Sequence, residues 1–479
     1  MQYDVVVVGG GIGGLTVAAL LAARGVSVCL LERNSNVGGC VSRVEFSGYD
    51  FEPGMGLYPE WGPGEIHDRI FSELPVDVPE TRLVEDDYVV RIGNADVHLR
   101  RDPSQFSEEL RLAFPECADS AVRFYELVDK TYAAAQTHSV DSVIKRVRNL
   151  FSASKDLTRA QNTTTAEHLK QTSERFQQFI DAQLRAFIQT PVDRCAFLPA
   201  CHALRLPRQK LYSISGGPAT VGERLAEAIK KSGGTVRLNS PVLRLAYNDA
   251  GDAVGVDLLS SERVIATRAI VSNMTIWDTY GKLVGLNRTP PEIKKLLATQ
   301  TGNGVYMIYA SMELSALKRL PAERFLVCIT SSSEDDANSE ITFATNGQSE
   351  QSAPEGELAV TLKTSASVNE WFAFQSSEED FEEWDQKALE RVWNQLHVAV
   401  PELGGDIEVI ETANPRTFYD ETRRKLGMVM GVEQSPESLS AFDDRTTLPN
   451  VFMVGDTVSS AGLATVSGTA EELANRLSR

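Results

Sequence analysis

Cysteine is scarce in this chain of 479 residues, and the six present, Cys29, Cys40, Cys117, Cys195, Cys201 and Cys328, form no C-x-x-C pair. None has a histidine at metal-ligand spacing, so neither a disulfide framework nor a metal site is expected, and the thiols read as reduced. Positive charge is also short. The 47 Lys and Arg face 66 Asp and Glu, a formal charge of -19. Such a surface repels phosphate backbones and anionic lipid, which excludes nucleic acid as an electrostatic partner. No apolar run is long enough to span a bilayer and no basic segment precedes the first one, so neither a signal peptide nor a transmembrane helix is expected. The reading is a cytoplasmic protein, at most peripheral to a membrane. The histidines, His67, His98, His138, His168, His202 and His397, are scattered, and no serine-nucleophile motif is present.

What the chain does have is an organised N-terminus. Val5 to Val8 is a continuous apolar run, suited to a strand buried on both faces of a parallel sheet. Gly9, Gly11 and Gly14 then form G-x-G-x-x-G, with Ile12 and Gly13 inside it. The first glycine permits a tight turn, the second a close approach to a diphosphate, the third helix-on-strand packing. Leu15 to Arg24 predicts a helix ended by Gly25, and Val26 to Leu31 a second buried strand finishing at Glu32. A carboxylate there accepts the hydroxyls of an adenosine ribose, so the spacing predicts a dinucleotide.

A nicotinamide domain would continue with another strand and helix. Here Glu32-Arg33 is followed by Gly38-Gly39-Cys40 and a probable hairpin, VEFSGYDFEPGMG, turning at Ser47-Gly48. E-R-x(4)-G-G followed by G-Y-x-F-x-x-G resembles the FAD-binding start shared by flavin amine oxidases and phytoene desaturases. The resemblance implies that Arg33, Gly38, Gly39, Gly54 and Met55 lie along the flavin and its phosphates. Amine oxidases commonly have Arg where this chain has Cys40, and the family as a whole often has Asp where it has Glu52. The first departure leans toward the polyene branch, which includes carotenoid isomerases and retinol saturases.

Later segments fit the same family. Leu211 to Val271 carries Gly216-Gly217 before a helix, Gly233-Gly234 after it, a strand holding Val242, and a meander turned at Asp249 to Gly251. The resemblance implies that Val242 pairs its backbone with the adenine. At the C-terminus, the strand Val451 to Val454 leads to Gly455-Asp456, a loop, and a helix from about Leu463. Asp456 would bond ribityl or phosphate oxygens, while Leu463, Ala464 and Thr465 would turn backbone N–H groups toward the flavin's pyrimidine edge. No Cys or His lies in this last segment, so the FAD is expected to be non-covalent.

Between these pieces, LYPEWGPGEIHDRIFSEL, the stretch from Ser104 to Ala135 and that from Thr164 to Pro191 each read as amphipathic helix. Phe176, Phe179, Ile180, Leu184, Phe187 and Ile188 recur at helical spacing, which suits a core face or the wall of an apolar tunnel. The resemblance assigns residues 302–314 and 357–367 to the family's mixed sheet, and 378–403 reads as a long helix ended near Pro401. The expected fold is α/β. A discontinuous Rossmann-like FAD-binding domain of parallel sheet and β-meander takes 1–75, 205–285 and 415–479, with an inserted α+β substrate domain over 76–204 and 286–414.

The resemblance implies an FAD-dependent oxidoreductase passing hydride between flavin and an apolar, isoprenoid or polyunsaturated substrate, by desaturation, saturation or isomerisation. A second G-x-G-x-x-G is absent, so the expected electron acceptor is oxygen or a quinone. Two alternatives stand beside this. One is an amine oxidase, with Lys363 as its water-binding lysine, although Lys363 reads first as a surface strand residue and Leu463-Ala464 replaces the usual aromatic. The other is a non-catalytic FAD and isoprenoid binder. No catalytic residue is identifiable; Glu52 reads as an anchor of the hairpin before it reads as a proton carrier.

Overall fold

The computed structural model describes residues 1–139, 155–329, 339–346, 352–373, 378–438, 444–459 and 462–479, and leaves the His138 side chain outside the description. Strand Gln2–Val8 lies inside a seven-stranded sheet in the order 242–247, 253–258, 263–272, 2–8, 28–31, 235–237. It runs parallel to Val28–Leu31 on one side and to Arg263–Ser272 on the other, and Val5 to Val8 are buried on both faces, as an all-apolar run requires. The ten-residue strand Arg263–Ser272 divides its outer edge. Its first part pairs antiparallel with Ala253–Leu258, closing the meander, and its last three residues pair parallel with the C-terminal strand Val451–Met453.

Helix Ile12–Ala23 begins earlier than the pattern suggested, and every residue from Ile12 to Ala22 is buried. A helix apolar all round must be covered all round. This one lies among the sheet, helix Ala219–Lys231 and the C-terminal helix Leu463–Leu477.

A second seven-stranded sheet has the order 407–413, 304–313, 357–366, 340–345, 324–328, 88–92, 95–99. Helix Glu378–Ala399 covers one face through Ala388, Val392 and Leu396, against Ile308, Phe343, Val360 and Leu362. On the other face, residues 103–139 and 155–205 pack a largely helical layer against Tyr88, Val90, Val97, Leu99, Leu326 and Cys328. The hairpin of Val44–Phe46 and Tyr49–Phe51 packs its aromatics on Val305, Met307, Tyr309 and Ala359 of that face. Directly paired residues share a face, so Lys363, opposite both Met307 and Thr342, sits in the middle.

Three expected helices differ. In 57–74 only Ile66–Ser72 is helical; Pro59, Gly62 and Pro63 hold the preceding part extended or in turns. The second divides around Pro115 into Pro103–Ala113 and Ala118–Ser139, and the third into Thr165–His168 and Glu174–Ile188, where Ser173 caps the new start by accepting from Phe176 N. Strands Tyr88–Ile92 and Ala95–Leu99 lie between the first two of these expected helices.

Candidate cofactor cradle and the sheet beside it

The glycine loop is tight for reasons each residue supplies. Gly9 has φ +100, which L side chains rarely adopt, and a Cβ on Gly14 would run into the Gly9 carbonyl oxygen. Gly11 caps helix Ile12–Ala23 with no side-chain bond and no acid in the first turn, so the helix presents its N–H groups and positive dipole end unblocked. Glu32 closes one side: its Oε2 accepts from Gly10 N at 2.6 Å and its Oε1 from Asn34 N at 2.8 Å.

The second glycine pair reaches this loop directly. Gly38 N donates to Gly10 O at 2.8 Å, and a Cβ on Gly39 would stand 3.3 Å from Gly11 Cα. Arg33 is exposed and turned outward, donating to Asn34 Oδ1 and to the carbonyls of Asp420 and Glu421.

Asn273, which sequence reasoning used only to mark a strand end, proves central. Its N–H donates to Val8 O at 2.8 Å, and its side chain would meet a Cβ on Gly11 at 2.5 Å and one on Gly13 at 2.8 Å. Gly455, at φ +123, approaches the same Oδ1, while Val454 and Val466 line the far side of Gly13. Two helix N-termini, at Ile12 and Leu463, therefore converge on one place. Ala464 is buried and Thr465 exposed, and the first turn of the C-terminal helix also lacks an acid.

Asp456 follows Gly455 and is gripped by Arg424, whose Nη2 lies 2.9 and 2.8 Å from the two carboxylate oxygens. Burial works against the Arg424 charge, but Asp456, Cys40 and Asp278 together hold its pKa above the usual value. Arg424 carried no signal in the sequence, because its partner lies 32 positions away and the contact is purely tertiary.

Val242 starts its strand half-buried, paired with Leu258. Gly54 and Met55 adjoin Glu52 and the helical layer: Gly54 N donates to Glu52 Oε1 at 3.2 Å, and Met55 packs against the apolar cluster around Tyr88. Glu52 is 3 % exposed and also accepts from the Tyr58 hydroxyl. Burial raises its pKa against the opposing effects of Tyr58, Arg324 and Gly54. Its carbonyl accepts from Thr361 Oγ1 at 2.9 Å, tying the hairpin to the second sheet, as the anchoring role requires.

Lys363 corrects an expectation. It is no surface residue but 5 % exposed, because its strand is third from one edge and covered on both faces. Its Nζ donates to Ala186 O at 2.7 Å and lies 3.4 Å from Met430 Sδ. Burial pushes its pKa down to about 8, with Glu340 pulling the other way. An alternating polar residue on an apolar strand was the available signal. Phe176, Phe179, Ile180, Leu184 and Phe187 are buried in the core of the helical layer. Among the described residues no His, Cys, Asp and Glu cluster suits a metal, and no helix is long and apolar enough to cross a membrane.

A Rossmann-type loop joined to a second glycine turn and a returning C-terminal strand, beside a separate mixed sheet, defines a flavin-type oxidoreductase. The protein is an enzyme of this class.

Residues 7–74 match the family model of the NAD(P)-binding Rossmann-like domain. The chain is 24% identical to the chloroplastic prolycopene isomerase of Daucus carota, over 95% of this chain and 76% of that one. It is 23% identical to the all-trans-retinol 13,14-reductase of Danio rerio, over 97% and 84%. Cyclohexylamine oxidase from Brevibacterium oxydans IH-35A shares the fold, with a TM-score of 0.65 at 18% identity over 100% of both chains. The resemblance to carotenoid isomerases and retinol saturases is thereby upheld, and the fold is shared with an amine oxidase.

Proposed function

We propose that the chain holds FAD non-covalently and passes hydride between it and an apolar isoprenoid or polyunsaturated substrate. The observation that carries this is the convergence of two helix N-termini, neither with an acid in its first turn, on Asn273, whose side chain lies so close to the glycine loop that a Cβ on Gly11 or Gly13 would meet it. Such a cradle fits an anionic dinucleotide. Gly9, Gly11, Ile12, Gly13 and Gly14 would face its diphosphate, Glu32 the adenosine ribose, and Gly38 and Gly39 the same phosphates from across the gap. Val242 would flank the adenine, while Gly455 and Asp456 would hold the ribityl chain. Leu463, Ala464 and Thr465, with Gly54 and Met55, would lie toward the ring system.

The flavin supplies a two-electron acceptor or donor of hydride. The chain's own part is to position and to exclude water. Residues 1–75, 205–285 and 415–479 form the cofactor domain in this reading, and 76–204 with 286–414 the substrate domain. Support for an apolar substrate comes from the names of the relatives, a prolycopene isomerase and a retinol reductase, and from the aromatic and aliphatic side chains flanking Lys363 on its sheet face. Oxygen or a quinone completes an oxidative cycle.

One observation favours a second reading, an amine oxidase: Lys363 is buried in the middle of the sheet face, as a water-binding lysine would be. Anaerobic mixing separates the two. The purified protein is expected to carry releasable FAD; polyenes and retinoids should change its spectrum when oxidised or dithionite-reduced, and amines should not. Bleaching by amines alone would replace the first reading with the second.

A further inference from the structure

Three carboxylates stand near the cradle. Glu32 borders Gly10, Asp456 follows Gly455, and Glu421 acts on the Cys40 thiol. Arg33, the basic residue adjoining the glycine pair, spends its guanidinium on Asn34 and on two backbone carbonyls. Arg424 stands beside the same glycine turn. Its Nη2 bonds both oxygens of Asp456 and its Nε donates to Met428 O at 2.5 Å, while its charge acts on the nearby Cys40 thiol. Among the described residues no carboxylate is bonded to its Nη1. Its side chain is 15 % exposed, sheltered enough for its charge to act with little screening by salt.

We propose that Arg424 supplies the positive charge that the dinucleotide's diphosphate meets at the Gly38–Cys40 turn, neutralising Asp456 and leaving Nη1 to face a phosphate oxygen. It is a positioning residue for the cofactor, delivered by the segment that follows helix Pro415–Thr422. The inference rests on the FAD reading above. Because Cys40 and the guanidinium are neighbours, an arginine at position 40 reaches the same place from the other side of the gap.

The test is FAD affinity of the full-length apoprotein, read by quenching of flavin fluorescence, with ADP and riboflavin as separate probes of the diphosphate and ring ends. Losing one charge-assisted bond of this kind corresponds to about tenfold or more. Arg424→Gln is expected to weaken FAD and ADP by that factor and to leave riboflavin unchanged. Cys40→Arg combined with Arg424→Gln is expected to recover most of the loss. Wild-type FAD and ADP affinity in Arg424→Gln, or a loss confined to riboflavin, overturns the proposal. So does a double variant no better than the single one. If Arg424→Gln does not fold, the double variant decides alone: folded and flavin-binding supports the proposal, unfolded overturns it. A wild-type protein that binds neither FAD nor ADP defeats the cofactor reading itself, which is a different result.

Discussion

The Asn273 side chain occupies the space that a Cβ on Gly11 would need, with Nδ2 2.5 Å from that position. A residue at the end of one strand thus dictates glycine in the loop after its parallel neighbour. Gly14 is bounded first by backbone, the Gly9 carbonyl oxygen, with Asn273 Cβ farther off at 3.0 Å. Gly11→Ala is therefore expected to cost about 1–3 kcal/mol, the range for overpacking, and to be relieved by Asn273→Gly. Gly14→Ala should cost more and find no such relief, since no side chain can turn away. Thermal melting of the variants, with bound flavin absorbance alongside, checks the order; equal damage from both would refute it.

Lys363 leads to a pH prediction. Its pKa is lowered from 10.5 to about 8, so between about pH 8 and 10.5 the unfolded chain binds the proton and the folded chain does not. Stability contributed by this group therefore rises with pH across that window, and below it the buried charge is a constant cost. Lys363→Met should remove the rise. At pH 7 it should stabilise by about 2 kcal/mol, the charge burial relieved less the hydrogen bond to Ala186 lost. Urea unfolding at pH 7 and 9.5 measures both, and an unchanged pH slope in the variant would count against the buried position.

Glu52 titrates with the opposite sign. Burial raises its folded pKa, so its contribution is complete below the unfolded value near 4.5 and is lost as pH rises through the folded one. Glu52→Gln is expected to gain stability relative to the wild type as pH increases from 4 to 7. Tyr58→Phe removes a donor to the carboxylate and should do the reverse. Melting temperatures across that range give the comparison; parallel curves for wild type and Glu52→Gln would contradict it.

Arg208 is 1 % exposed, bonded through both Nη atoms to Asp129 and lying over the rings of Phe106 and Tyr125. Asp129 is partly exposed, so its stranded charge finds water when the partner goes. Arg208→Met should therefore fall below the 3–5 kcal/mol typical of a fully buried broken pair, at about 2–3 kcal/mol. Denaturant midpoints measure it, with Asp129→Asn and the double variant completing a cycle expected to show coupling.

The first strand, the glycine loop, its helix and Glu32 were legible because local rules write them: an apolar run, spaced glycines and a terminal acid. The meander and the last strand were legible for the same reason. What escaped were relations across the chain. Asn273 is an ordinary strand end until the parallel register sets it beside Gly11. Arg424 is one of three consecutive basic residues, and nothing local distinguishes the one that turns inward to Asp456. Lys363 resembled a surface lysine because a strand in the middle of a mixed sheet looks locally like one at its edge. The extended part of 57–65 was read as helix because its apolar spacing outweighed two prolines.

Arg263–Ser272 offers its last three residues to Val451–Met453, and the helix after that strand brings Val466 against Gly13. The nucleotide sheet therefore cannot be finished until Val451–Met453 has been made. Sequence-distant pairing of this kind slows folding and prolongs exposure of apolar strands. A nascent chain cut before Val451 carries the whole glycine fingerprint and yet leaves one flank of it bare. Cofactor capture should accordingly wait for docking of strand Val451–Met453 and helix Leu463–Leu477.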